Sequence, residues 1–246
     1  MIGLGTLINV LAIVLGSLIG TLIGSKFSKK TRNLVTDTLG LTTFVIAGLS
    51  IADIANPTLK ENLGSGVGVL IILGSLILGG ITGSILELEK RFENIGKRLK
   101  KRFAKKKDKN STFVEGFVSA SLVFVVGPLA ILGSISDGLQ NGIELLALKS
   151  SLDFFASIAF ASSLGIGVMF SALAVGVYQA LFTLLGVVLG NVLDETQVLI
   201  LTVTGGLLLV GVALRLLKIK QVSVAELLPA LIFAPILVKI WMLYFH

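Results

Sequence analysis

Apolar runs of about 20 residues recur along the whole chain, separated by short polar or charged stretches. Eight can be bounded: Ile2–Ile23, Leu34–Ile54, Gly64–Leu86, Phe113–Ile135, Leu145–Leu164, Gly165–Leu193, Val198–Leu217 and Val222–Tyr244. Each is long enough to cross about 30 Å of hydrocarbon as a helix. The pattern predicts an all-α, polytopic membrane protein with about eight transmembrane helices in a single domain, residues 1–246. The fifth and sixth runs abut at Ser162-Ser163-Leu164-Gly165, which leaves a very tight turn. The first run lacks a basic flank and a small-residue cleavage site, and similar runs follow it, so it reads as a retained helix.

Three features break the simple pattern. Gly127-Pro128 falls inside span 4, where proline removes a backbone donor and frees a carbonyl, so that span is expected to be broken. Asp137-Gly138 and Asn141-Gly142 then read as a turn-rich outer loop. Glycines four apart, such as Gly16, Gly20 and Gly24 in span 1, let helix backbones approach closely in lipid.

Spans 6 to 8 also echo spans 1 to 3. At an offset of 166 residues, Leu15, Leu18, Gly20, Gly24, Thr36, Thr38, Gly40, Leu41 and Ala47 meet identical residues at Leu181, Leu184, Gly186, Gly190, Thr202, Thr204, Gly206, Leu207 and Ala213. Span 1 enters the side that span 6 leaves, so the pair is a candidate inverted repeat, a frequent transporter device.

Charge fixes a sidedness. Of the 21 Lys and Arg, 18 lie in loops that follow odd-numbered spans. By the positive-inside rule those loops are cytoplasmic and both termini are outside. The longest loop, residues 87–110, carries Leu88, Phe92, Ile95, Leu99 and Phe103 as one apolar stripe among cations. It predicts an amphipathic helix on the inner leaflet, with Lys97, Arg98, Lys100, Lys101 and Arg102 near anionic lipid head groups. A plain topology signal and solvated spacer is the alternative. The net charge of +7 therefore reflects membrane topology, and nucleic acid is not an expected partner.

Composition then narrows the chemistry. Hydrophobic residues make up 54% of the chain and charged residues only 14%, too few to cover a water-facing surface. There is no cysteine, and His246 is the single histidine and the last residue, so thiolate or histidine metal sites and histidine-based catalysis are not expected. No nucleotide-binding loop or hydrolase elbow is present, and neither an enzyme nor a cofactor is expected.

The remaining candidates lie inside the spans. Asp153 sits about 12 Å below the outer end of span 5, at 1.5 Å per residue. Asn9, Pro128 and Gln179 fall at about 8–11 Å, and Thr202 and Thr204 at about 6–9 Å, by the same rise. The expected site combines Asp153, Lys149, Asn9, Gln179, the backbone freed at Gly127 and Pro128, and Thr202 and Thr204. A carboxylate at that depth needs a partner or a cavity. Lys149, four residues away on the same helix face, supplies one. The arrangement reads as a cation or proton site, or alternatively as an ion pair that stitches helices together.

The stretch Gly127-Pro128-Leu129-Ala130-Ile131-Leu132-Gly133-Ser134-Ile135-Ser136-Asp137-Gly138-Leu139, with Leu148-Lys149-Ser150-Ser151-Leu152-Asp153, Tyr178-Gln179 and Gly3-Leu4-Gly5-Thr6-Leu7-Ile8-Asn9, resembles the YdfK/YqgA-like bacterial membrane proteins. The likeness covers essentially the whole chain. That family is catalogued as a domain of unknown function and sometimes described as a candidate transport protein. The resemblance implies a bacterial cytoplasmic membrane and supplies no substrate.

The expected function is cation- or proton-coupled movement of a small solute or ion by a secondary transporter or channel-like protein. The alternative is a membrane scaffold or sensor that binds lipid or a partner through the basic loop. Self-association into a homo-oligomer is compatible with either reading.

Overall fold

The computed structural model describes residues 2–103, 112–189 and 193–244. Lys105, Lys106, Lys107 and Lys109 of the basic loop, Gly190 of the repeat and the terminal His246 lie outside the described residues. Among the described residues every regular element is helical. The helices are α1 (Leu4–Gly24), α2 (Lys29–Ala52), α3 (Pro57–Leu63), α4 (Val67–Ile85), α5 (Leu88–Phe103), α6 (Phe113–Val125), α7 (Pro128–Gly138), α8 (Glu144–Leu164), α9 (Ser171–Leu189), α10 (Glu195–Leu216), α11 (Val224–Leu227) and α12 (Ala230–Tyr244). Two 3-10 segments, Asp53–Ala55 and Ile166–Phe170, complete the set.

Among the described residues seven helices are long and apolar enough to cross a membrane, or eight if α6 and α7, bent by 64°, count as one span. The distribution of residue types fits hydrocarbon surroundings. On α1 the buried positions are Gly5, Thr6, Asn9, Ile13, Gly16, Ser17, Gly20 and Gly24, while Leu7, Leu11, Leu15, Leu18 and Leu22 are exposed. Small and polar residues inside with leucine outside would leave a large apolar patch in water, but in lipid the leucines cost nothing.

The chain forms two compact units. The first comprises residues 1–40, 91–125 and 129–191. Its backbone is the α1–α8 pair. Gly16, Gly20 and Gly24 face the backbone of Phe154, Ile158 and Ser162 so closely that none has room for a Cβ. Residue numbers rise together on both helices, so they run parallel. The helix ends of α1 are matched to its dipole: the Asp137 carboxylate accepts from Gly5 N at 3.1 Å, and Arg32 donates to Gly24 O at 2.9 Å. α7 and α9 interlock through a reciprocal glycine pair, Gly138 against Thr183 and Gly186 against Ile135, and here the numbering runs in opposite senses. On α5, Phe92 stacks on Phe117 and Gly96 packs over Val114, so the apolar stripe is partly covered by α6.

The second unit comprises residues 41–90, 126–128 and 192–246. Its core joins Leu59, Leu63, Ile71, Ile72, Ile200, Val203, Ala234 and Val238 from α3, α4, α10 and α12. Gly79 and Gly83 of α4 face the backbone of Ala230 and Glu226, again with no room for a Cβ. Asp194 and Gln197 form a reciprocal capping box at the start of α10, at 2.8 and 2.9 Å. Glu89 pairs with Arg215 and also accepts from Ala225 N, so one carboxylate serves the start of α5, the end of α10 and the start of α11.

One expectation needs correction. Asp137 and Gly138 are not in an outer loop: they end α7, and Asp137 is only 2% exposed because it caps α1. Span 4 is broken as expected, with Gly127 at φ +155° and Pro128 starting a new helix. The junction of spans 5 and 6 is as tight as expected, with one residue, Gly165, between them. Gly165 breaks α8 at φ +81°, and the Ile166–Phe170 3-10 segment carries the chain to α9 at Ser171. The short helix α3, which hydropathy did not mark, fills the segment between spans 2 and 3. Asn56 caps it by accepting from Thr58 N at 3.0 Å, with Pro57 at its first position, an Asn-Pro signal legible in the sequence.

Candidate functional site

Three of the residues expected from the sequence are bonded to one another inside the first unit. Lys149 Nζ donates to both carboxylate oxygens of Asp153, at 3.0 and 2.8 Å, and Asn9 Nδ2 donates to Asp153 Oδ2 at 3.0 Å. All three side chains are buried. Periodicity explains the meeting. Lys149, Asp153 and Ser157 are four apart on α8, and Gly5, Asn9 and Ile13 are four apart on the α1 face that packs against it.

The ion pair lies within one helix. It therefore does not hold two helices together; only the Asn9 amide crosses from α1 to α8. Its order is also the less favourable one, with the cation N-terminal to the anion. Burying both charges costs several kcal/mol each before the pair forms, and apolar residues of similar volume would be at least as stable. Stability alone does not account for Lys149 and Asp153.

The first unit also contains buried polar atoms that make no hydrogen bond to the protein. They include Thr6 Oγ1, Asn9 Oδ1, Ser157 Oγ, Tyr178 Oη, Thr183 Oγ1 and both amide atoms of Gln179. Gln179 is 0% exposed, and α9 reaches α1 one turn earlier, where Gly176 faces Val10. Each unmet buried polar group costs about 1–3 kcal/mol. Among the described residues, every fully buried side-chain nitrogen or oxygen without a partner belongs to the first unit.

The other expected residues are placed differently. Thr202 and Thr204 donate to Val198 O and Ile200 O of their own helix, at 2.8 and 2.7 Å, so their hydroxyls are satisfied locally. They belong to the second unit, as do Gly127 and Pro128. Asp137 is the residue that sequence reasoning missed. Its signal was the four-residue spacing from Gly133, which continues one helix face through Asp137. Among the described residues no group of three or more His, Asp or Glu side chains could hold a metal ion.

Lys97, Arg98, Lys101 and Arg102 are exposed on α5, and Lys100 is half-buried. Glu93 engages Lys97 at 2.9 Å and Arg102 lies over the Phe103 ring at 5.8 Å.

Comparison with known proteins agrees with the membrane architecture. The chain is 28% identical over 234 residues to the uncharacterized membrane protein YdfK of Bacillus subtilis, covering 95% of each chain. It is 28% identical over 244 residues to the uncharacterized protein YqgA of Escherichia coli, covering 98% of this chain and 99% of the other. No solved structure matches it. The profile of a family described as protein of unknown function, DUF554, matches residues 4–239, and the chain belongs to that family.

Proposed function

We propose that the protein moves a small solute or ion across the membrane as a cation- or proton-coupled secondary transporter or channel-like protein, with Asp153, Lys149, Asn9 and Gln179 as the core of its site. The observation that carries this reading is the buried Lys149–Asp153 pair within a single helix, in a unit that also holds buried amide atoms, Asn9 Oδ1 and both of Gln179, with no protein partner. Charges kept where they do not serve stability point to a charged or polar ligand.

The repeat supports alternating access. Of the matched residues, Leu15 and Leu181 are both exposed, as are Leu18 and Leu184, while Gly20 and Gly186, Thr36 and Thr202, Gly40 and Gly206, and Ala47 and Ala213 are buried in both copies. Thr38 and Leu41 are exposed where Thr204 is buried and Leu207 half-buried. Equivalent burial is what two inverted copies of one structural element require. The lysine and arginine count supports a topology with odd loops inside and both termini outside.

The scaffold reading rests on the exposed cations of α5, which suit anionic lipid. Against it, Phe92 and Gly96 are engaged with α6, so less of the apolar stripe is left to enter a leaflet.

The test is flux in proteoliposomes, using radioactive sodium and rubidium and a pH-sensitive dye for protons. Wild type conducts or exchanges at least one of these, and Asp153→Asn, which keeps the shape and removes the charge, loses it while remaining folded. Flux that is equal in wild type and Asp153→Asn rejects the site, and no flux of any solute tested favours the scaffold.

A further inference from the structure

We infer that Asp137 and Asp153 share the single cation of Lys149, leaving the site one negative charge that a monovalent cation or a proton fills. The inference rests on the transport reading and names the ligand class at that site.

Asp137 is the second buried carboxylate of this unit, and among the described residues no cation lies within salt-bridge distance of it. The hydrogen bond it makes is the one from Gly5 N. Its position relative to Lys149 follows from one contact point. Gly5 of α1 and Gly133 of α7 both close on Leu146 of α8, where a Cβ on either would lie 2.6 to 2.9 Å from the leucine side chain. Asp137 is four residues after Gly133, on the same face of α7. Lys149 is three residues after Leu146, on the same face of α8. Leu146 therefore separates the two groups, with Asp137 on its far side from Asp153.

Helical side chains lean toward the N-terminus of their own helix. From Lys149 that direction leads toward Leu146 and Asp137. Reaching Asp153, four residues C-terminal, runs against the lean, and this is the position the lysine occupies. Two carboxylates and one ammonium carry a net charge of −1. A divalent metal ion would ask for more carboxylates and carbonyls than this cluster offers. A monovalent cation or a proton on Asp153 matches the charge and lets Lys149 turn to Asp137. Asn9 Oδ1 and Gln179 Oε1 are unmet acceptors suited to such an ion. The hydroxyl of Tyr178 is also buried in this unit, and Glu144 at the start of α8 is exposed.

The experiment is a double-mutant cycle on the full chain in detergent, with unfolding by SDS followed through helical circular dichroism. Asp137→Asn and Asp153→Asn each leave Lys149 a counter-ion, and the double variant leaves none. The double variant is expected to lose at least tenfold more in the unfolding constant than the two singles together. Adding Lys149→Met removes that excess to within twofold. If the double variant does not fold, the triple variant with Lys149→Met still should. Additive losses, coupling that survives Lys149→Met, or a triple variant that also fails to fold each overturn the proposal.

The ligand class is read from the thermal midpoint. Wild type rises with sodium or potassium chloride over N-methylglucamine chloride, or responds to pH alone if the proton is the ligand, and Asp137→Asn loses that response. A response equal in wild type and Asp137→Asn, or none, overturns the charge vacancy. Neither measurement uses flux, so the transport reading stands or falls separately.

Discussion

Asn9 on α1 reaches Asp153 on α8 at 3.0 Å from the same helix face on which Gly16, Gly20 and Gly24 press against the α8 backbone. One interface thus has two parts. Its first turns hold the buried charges, and its remaining turns are a backbone-to-backbone seam with no room for side chains. Parallel packing brings both parts into register, because a slip by one residue would turn Asn9 away from Asp153 and a side-chain-bearing position into the seam.

The seam predicts a sharp dependence on residue size. Gly20 faces the Ile158 backbone, which cannot move aside, so Gly20→Ala should destabilise the protein by about 1–3 kcal/mol and Gly20→Val by more. Gly74 of α4 has its nearest neighbour, Leu237, at 3.5 Å from a built Cβ, and Gly74→Ala should be tolerated. Thermal midpoints in detergent compare the two; equal losses would show that the close approach carries no special cost.

Asn9→Leu removes the donor that crosses the interface and places an apolar group beside a carboxylate. Hydrogen bonds to charged groups are worth about 1.5–3 kcal/mol, and a loss of that size is expected. Asn9→Gln, which retains an amide, should recover part of it. A neutral Asn9→Leu would mean that Lys149 alone satisfies Asp153.

Glu89 should matter far more than Glu87, although both begin the same basic segment. Glu89 and Arg215 are each 14% exposed at the side chain, and Glu89 also holds Ala225 N. Glu89→Ala leaves a half-buried arginine and a helix-end donor unmet, with an expected loss of about 1.5–3 kcal/mol. Glu87→Ala touches the exposed pair with Lys90 and should stay within about 0.5 kcal/mol. Chemical or thermal unfolding of the two variants side by side decides it.

Sidedness can be read directly because the chain has no cysteine and gives no labelling background. Single cysteines at Lys60 and Lys101, both exposed, should react with a membrane-impermeant maleimide from opposite sides, position 60 from outside. Labelling of both from one side would mean that α4, the one span between them, does not cross the membrane.

The sequence alone determined the membrane class, the run of spans and the polar residues buried within them. These follow from local chemistry: a stretch must be apolar to cross hydrocarbon, and a charge inside one is costly wherever the helix ends up. The four-residue spacing of Lys149 and Asp153 likewise fixed their pairing, since both sit on one helix face whatever packs against it. Tertiary structure decided which helices meet. Asn9 was legible only as a polar residue at a given depth, and its bond to Asp153 depends on α1 and α8 running parallel along the glycine seam. Thr202 and Thr204 stood at the same depth, yet their hydroxyls turn back to their own helix, because a helical threonine has a carbonyl within reach four residues earlier. Asp137 looked like a loop residue beside a glycine. It became a buried cap when α7 folded back over the start of α1, a placement that a one-dimensional pattern does not encode.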